Sequence, residues 1–349
     1  MKKCFCIVLL TLSLFGFVFS AKSGTLTEIV KPDCFTLGDC GVFILESGTI
    51  YKYSVENLTL TGKFCRQGEG PGEIKISDYY AGSIIVLPDS VFVDSFDKIL
   101  YFSERGKLIK ERKKRGLSVS RMLPVGKNFA AIELDRSNSK KEVFVLSVYD
   151  SEMKKIKELY RQKSPVQGLC TAMVPDSLHF CVVNDKIFVE ESPKGFFIEV
   201  FDEQGDKLYQ IEKEYKKAEV TDRDKEEILR RYKEDPIVKK IGFEFLKKRI
   251  KFVYPDYYPV IQGITGVSNE LYARTHITRD NKDEYVVMDL KGKTLGKMYM
   301  PAMEKASVIA MINGKDKRLC SIYKNKFYYL KENGEEEWEL HSEEIAYRK

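Results

Sequence analysis

Six times along the chain a short apolar run leads into a five-residue turn and then into a strand rich in charge. The copies read TIYKYSVENLTLTGKF (49–64), KILYFSERGKLIKE (98–111), FVLSVYDSEMKKIKEL (144–159), FFIEVFDEQGDKLYQI (196–211), EYVVMDLKGKTLGKM (284–298) and KFYYLKENGEEEWEL (326–340). The last apolar residue before each turn is Tyr53, Phe102, Tyr149, Phe201, Met288 and Leu330. Four positions later stand Asn57, Gly106, Met153, Gly205, Gly292 and Gly334. Glycine or asparagine in five of the six copies predicts a hairpin residue with positive φ at that place.

Further apolar runs precede these cassettes. SIIVLPDSVFVDSF, LHFCVVNDKIFVEES and GITGVSNELYARTH each hold two strands around a Pro-Asp, Asn-Asp or Ser-Asn turn. Two strands plus the cassette hairpin make a four-stranded unit. The cassettes are spaced by 49, 47, 52, 87 and 42 residues. A repeat near this length with one such unit per period predicts a six-bladed β-propeller of four-stranded blades, an all-β fold in one domain over residues 21–349. The long 87-residue interval holds VTDRDKEEILRRYKEDPIVKKIGFEFLKKRIKF. Thr221 with Asp224 reads as a capping box, and Asp235-Pro236 as the start of a second helix. Ile237, Val238, Ile241, Phe245 and Leu246 form one apolar stripe at helical spacing. A helical hairpin insert over about 218–252 is therefore expected between blades four and five. An open ring would leave unpaired sheet edges, so both chain ends are expected in one blade.

The loop RQGEGPGEI (66–74), the Asp-x-x-Gly turns, and the insert followed by YPDYYPVIQGI (254–264) resemble secreted bacterial six-bladed β-propeller proteins of the NHL-like kind. The resemblance spans nearly all of residues 25–349 and implies the fold more than an activity. Some NHL-type relatives are enzymes holding a metal through channel-facing histidines. This chain has no visible counterpart of that ligand set, so neither a metal nor another cofactor is expected.

Residues 1–20 read as a secretory signal peptide: Lys2 and Lys3, an apolar run, then Val18-Phe19-Ser20 before Ala21. The alternative is an uncleaved N-terminal anchor. Cleavage leaves no stable transmembrane span and an exported chain, periplasmic or extracellular. The net charge of +6 falls to +4 with the signal removed. That balance lacks the concentrated basic stripe of a nucleic-acid binder. Six cysteines remain, Cys34, Cys40, Cys65, Cys170, Cys181 and Cys320, as disulfides or as buried small hydrophobes. Cys34 and Cys40 flank a turn and are expected within bridging distance, a Cα separation of about 7 Å or less.

Loops joining one blade to the next, and loops between second and third strands, share one end of such a ring. The glycine loop with Arg66 and Glu73, the basic run Lys110–Arg115, the loop 134–142 with Arg136, and the loop 275–284 with His276 beside Arg274 all fall there. Gly68, Gly70 and Gly72 read either as an anion nest or as a tight loop that lets blades approach. The basic run either meets a polyanion or merely solvates a loop. Asp94, Glu133 and Glu190 end second strands near that end and read as cavity lining or as solvated strand ends. The three histidines, His179, His276 and His341, have no metal spacing, and no nucleophile-elbow sequence is present. The sequence thus points to a non-enzymatic binding or scaffold propeller. It would contact an unknown protein or glycan through Arg66, Glu73, Asp94, Arg136, Glu190, Arg274 and His276, and the cationic members of that set favour an anionic partner. The alternative is a hydrolase or lyase acting on glycan or peptide with channel-lining carboxylates or a metal.

Overall fold

The computed structural model describes residues 22–75, 82–114, 119–135, 137, 142–164, 166–167, 170–174, 178–191, 194–302 and 319–346; the expected signal segment lies outside them. The described strands form six four-stranded antiparallel sheets and one small three-stranded sheet. The chain begins with β1 (Lys22–Thr25) and then builds blade one from β2 (Cys34–Gly38), β3 (Gly41–Glu46), β4 (Thr49–Tyr53) and β5 (Leu60–Phe64). Blade two is β6 (Ser83–Leu87), β7 (Ser90–Asp94), β8 (Lys98–Phe102) and β9 (Leu108–Lys113). Blade three is β10 (Val119–Val125), β11 (Asn128–Asp135), β12 (Val143–Tyr149) and β13 (Lys155–Lys163). After β14 (Val166–Gln167) and β15 (Cys170–Ala172), blade four follows as β16 (Phe180–Val183), β17 (Lys186–Glu190), β18 (Phe196–Phe201) and β19 (Lys207–Lys213). Then come α1 (Asp222–Glu234), α2 (Pro236–Ile241), α3 (Phe243–Lys247) and β20 (Lys251–Val253). Blade five is β21 (Ile261–Val267), β22 (Glu270–Arg279), β23 (Lys282–Asp289) and β24 (Thr294–Pro301). Blade six holds β25 (Cys320–Tyr323), β26 (Lys326–Glu332) and β27 (Trp338–Glu344), and β1 is its fourth strand, with Thr25 opposite Glu339.

The core is distributed between blades. Six apolar clusters each join one pair of neighbouring sheets, including the pair that closes the ring, six with one. Strand β3 shows why its sequence is continuously apolar. Val42 and Ile44 face blade six, while Phe43 and Leu45 face blade two. A strand buried on both faces needs no polar alternation. The fourth strands differ: β9 and β13 are largely exposed and carry many lysines, a charged edge that discourages sheet-to-sheet aggregation.

The cassette turns follow a shared rule. Asp150, Asp202 and Asp289 each accept the backbone N–H groups two and four residues on. The residue three positions past the acceptor is left-handed: Met153 (φ 62°), Gly205 (φ 83°) and Gly292 (φ 87°). Glycine also serves packing there, since a Cβ on Gly205 or Gly292 would lie 2.7 Å from Leu159 or 2.6 Å from Ile211 of the preceding blade. Met153 instead buries its side chain in the seam with blade two. Two copies depart from expectation. In the first, Leu58 (φ 55°) rather than Asn57 is left-handed. In the sixth, Asn333 is the acceptor and Glu336 (φ 62°) is left-handed, not Gly334. That sixth hairpin joins the second and third described strands of its blade, because β1 supplies the fourth.

Cys34 and Cys40 do not meet. Cys34 opposes Leu45 at one end of β2, while Cys40 lies in the turn beyond Gly38 at the other. Four residue steps along the strand separate those ends by roughly 13 Å. All six described cysteines are free thiols, which supports their reading as small, partly or fully buried apolar groups.

The insert begins with the expected capping box: Thr221 accepts from Asp224 N–H, and the Asp224 carboxylate accepts from Thr221 N–H. The expected second helix is broken. Gly242 (φ 96°) separates α2 from α3, so the apolar stripe splits. Val238 is buried and Leu246 packs beside it against Tyr232 and Met173, but Ile241 and Phe245 turn outward. Strand β20 pairs in parallel with β15, tying the insert to the link between blades three and four.

Candidate functional site

Strands one and three of each blade run one way and strands two and four the other. Every link from a fourth strand to the next first strand therefore emerges at the end of the ring where second strands finish. Arg66, the insert, Asp94, Glu190 and the far half of β22 are at that end. Arg136 lies outside the described residues.

The glycine loop satisfies its own donors. Gly68 N–H donates to Ile74 O at 2.9 Å, Gly70 N–H to Glu73 Oε2 at 2.7 Å, and Gly72 N–H to Glu111 Oε2 at 2.8 Å. The buried Lys98 ammonium donates to Gly70 O at 2.6 Å and pairs with Glu111. Hydrogen bonding by Gly70 N–H and then by Arg66 holds the Glu73 carboxyl below the usual carboxylate range. A Cβ on Gly68 would collide with that carboxylate. The glycines thus make room for Glu73, and the would-be anion nest is filled by the protein's own carboxylates. Arg66 stands largely exposed, paired with Glu73 at 2.6 Å.

The second-strand carboxylates tie strand ends to neighbouring backbone and cations, and Asp94 does so across two blades. Glu46 accepts the N–H groups of Val30 and Lys31, in the link entering blade one. Asp94 accepts Met122 N–H of blade three at 3.0 Å and pairs with Lys114. Glu190 is buried at the end of β17, and Glu133 pairs with Lys155. The basic run is not the expected loop. Lys110 to Lys113 lie on β9, where Lys110 covers the Tyr101 ring and Arg112 pairs with Glu152; Lys114 is buried, and Arg115 lies outside the described residues.

Blade five holds the most unusual local geometry. The expected loop 275–284 is a long hairpin turning at Asp280 (φ 49°) and Asn281 (φ 57°). Arg274 opposes Tyr285 and Thr278 opposes Asp283, so three residues, 275–277, face the single Glu284. Such a bulge re-aims side chains and is common beside functional sites. Here it directs Thr275 and His276 to one side of the sheet, over Glu284. The buried Glu284 carboxylate accepts from Tyr215, from Tyr299 at 2.8 Å and from Thr275 at 3.1 Å, with Lys297 at 3.3 Å. Burial alone would raise the Glu284 pKa, but these hydroxyls and Lys297 outweigh it and leave it lowered. The His276 ring stacks on Tyr258 with centroids 6.5 Å apart and meets the edge of Tyr215 at 6.1 Å. Burial lowers its pKa despite a hydrogen bond to the Val260 backbone, and Nδ1 is buried with no partner among the described residues.

Arg274 is on the other side of blade five. Its guanidinium donates to Gln262 O at 2.8 Å and approaches Asp283 at 3.7 Å. Sequence proximity of Arg274 and His276 therefore does not become spatial convergence. Tyr215, Tyr258 and Glu284 were missed by sequence reasoning. The aromatic run YPDYYPV just before β21 was the one local signal for Tyr258.

Tyr258 also links this cluster to the insert. The two legs of the insert pair with each other: Val220 N–H donates to Asp256 O and Tyr258 N–H to Ala218 O, both at 2.9 Å. Asp224, in the first turn of α1, helps raise the Tyr258 hydroxyl to about 12, after burial. Beside these legs lies a shallow groove of about 490 Å³ lined by Glu219, Val220, Lys225, Tyr254, Asp256 and Tyr257, among others. Among the described residues no group of three or more His, Cys, Asp or Glu side chains is arranged to hold a metal.

No protein-family model matches the chain, and no curated protein matches it. Among solved structures it is similar to the WD40 domain of Neurospora crassa Pan2, at 8% identity and a TM-score of 0.40, covering 91% of this chain and 77% of that one. It is also similar to PorZ, a surface component of the type-IX secretion system of Porphyromonas gingivalis, at 13% identity and 0.37, covering 89% of this chain and 33% of PorZ. The AfRom2 CNH domain gives 10% identity and 0.37 over 93% of this chain and all of that domain, 100%. Likenesses this distant carry no argument about what the chain binds or does.

Proposed function

We propose that this chain is an exported, non-enzymatic binding or scaffold propeller of the secreted bacterial NHL-like kind. It holds a ligand or protein partner at the end of the ring where the inter-blade links emerge. One observation carries the reading: the blade-five bulge sets His276 between Tyr215 and Tyr258, beside the paired legs of the insert. Aromatic walls with an unpaired imidazole nitrogen suit a planar or sugar-ring face and a hydroxyl or N–H donor. An oligosaccharide is the ligand class that meets both requirements. In this reading His276 and Tyr258 make contact, and Arg274 positions the β21–β22 pair. Arg66, Glu73, Asp94 and Glu190 set the loop roots that frame the site.

The test is thermal stabilisation by uronic-acid oligosaccharides, with neutral oligosaccharides as the comparison. A shift for the native chain that is lost in His276→Ala and Tyr258→Ala, kept in the outer-turn variant Lys293→Ala, supports the site. Equal shifts in all four proteins, or none with any sugar, overturn it. Export is tested separately: cell fractionation should recover a chain beginning at Ala21 outside the cytoplasm. A chain retaining Met1 in the cytoplasm would refute it.

A further inference from the structure

The two halves of the insert differ in charge and in pairing. Helix α1 is laced with ion pairs: Arg230 with Glu227 and Glu234, Arg231 with Glu227, and Lys225 with Asp222. The stretch 236–251, PIVKKIGFEFLKKRIK, holds six basic residues against Glu244 alone, a net +5. Lys239, Lys240, Lys247, Lys248 and Lys251 are all exposed, and none has a carboxylate partner among the described residues. Arg249 lies 4.0 Å above the Phe245 ring. Between these cations the break at Gly242 turns two large apolar side chains outward, Ile241 at 47% exposure and Phe245 at 48%. Val253 follows on β20 at 41%. The inward side chains, Val238, Leu246 and Phe252, already form the small core of the insert, so the outward ones are not needed to fold it.

We infer that this outward face, Ile241 and Phe245 flanked by Lys239, Lys240, Lys247 and Lys248, docks on an anionic phospholipid surface. Composition favours lipid over an acidic protein. The stretch has no Ser, Thr, Asn, Gln, Tyr or His at all. Protein interfaces are depleted in lysine and need hydrogen-bonding side chains for register. A lipid surface needs neither. It takes apolar side chains into the acyl boundary and attracts flexible lysines as point charges by its diffuse negative potential. The lysine stems lie along the boundary while the ammonium groups stay in water. The docked insert would hold the ring at a membrane through a surface apart from the His276 cluster.

The experiment is vesicle co-sedimentation of the full chain, with phosphatidylglycerol-containing vesicles against pure phosphatidylcholine. The apolar N-terminal run is common to every variant, so differences between variants report on the insert alone. We expect binding to the anionic vesicles that weakens with salt. The pair Lys247→Gln and Lys248→Gln should lower it on the order of tenfold or more. Phe245→Ser should lower it at every salt concentration. Phe245→Trp, after subtraction of the Trp338 signal, should shift its emission to the blue on anionic vesicles only. Matched thermal melts exclude misfolding of the variants. Vesicle binding that is unchanged in the lysine and Phe245 variants overturns the inference. So does an emission of the Phe245→Trp variant that vesicles leave unmoved while soluble polyglutamate is bound, which would assign the face to an acidic macromolecule.

Discussion

Lys114 and Asp94 face each other at 2.5 Å inside the seam between blades two and three, with side chains 1% and 0% exposed. In sequence Lys114 is one more cation in a basic run; in the fold it is neutralised and sealed. Removing one partner leaves an uncompensated buried charge, which costs about 3–5 kcal/mol. Lys114→Met and Asp94→Ala are each expected to destabilise by that order in chemical denaturation. The double variant should recover part of the loss. Single variants as stable as the native chain would mean the seam admits water.

Glu284 should make blade five sensitive to acid. Its folded pKa is lowered, so the stability it contributes is present above the ordinary unfolded value, 4.5 here, and is lost as pH falls through the folded one. Below about pH 5 the native chain should lose stability more steeply than Glu284→Gln. Glu284→Ala orphans the hydroxyls of Tyr215, Thr275 and Tyr299 and should cost about 1–3 kcal/mol at neutral pH. Parallel pH profiles for native and Gln proteins would contradict this.

His276 should titrate below the ordinary histidine value, 6.5 here, because burial disfavours its charged form. The unfolded chain then takes up the proton first, so stability declines as pH falls from that value toward the folded pKa. The NMR shift of the His276 ring protons against pH checks the position directly. His276→Phe should remove the matching part of the stability decline that sets in as pH falls below about 6.5.

Gly68→Ala should dislodge Glu73, since its Cβ would overlap the carboxylate. The loop then loses the bonds from Gly70 N–H and Arg66. A lowered unfolding midpoint is expected. Adding Glu73→Ala should lower it little further, because the same contacts are already gone. Full additivity of the two losses would separate the glycine from the carboxylate.

The reading of the fold from sequence succeeded where the information is local. An aspartate acceptor with a left-handed residue three places on makes its own hairpin, so Asp202 to Gly205 and Asp289 to Gly292 could be read in one dimension. Thr221 with Asp224 likewise announces its helix. Double-sided burial also leaves a local trace, the unbroken Val42–Leu45 run. The closure of the ring by β1 followed from the need to pair an open edge.

The sequence by itself therefore determined the repeat, the blade count and the place of the insert, since backbone hydrogen bonding and side-chain alternation are set by neighbours along the chain. Tertiary structure alone decided which charges are buried and which are free. Asp94 holds Lys114 of its own blade while reaching Met122 across a seam, Lys98 reaches the glycine loop from another hairpin, and the bulge opposite Glu284 brings His276 to Tyr215 and Tyr258 while sending Arg274 to the opposite side. An ionisable side chain looks the same in sequence whether solvated or paired. Its partner and its loss of water are fixed only when separate strands pack, so the candidate site, unlike the fold, left little in one dimension beyond His276 and the aromatic run before β21.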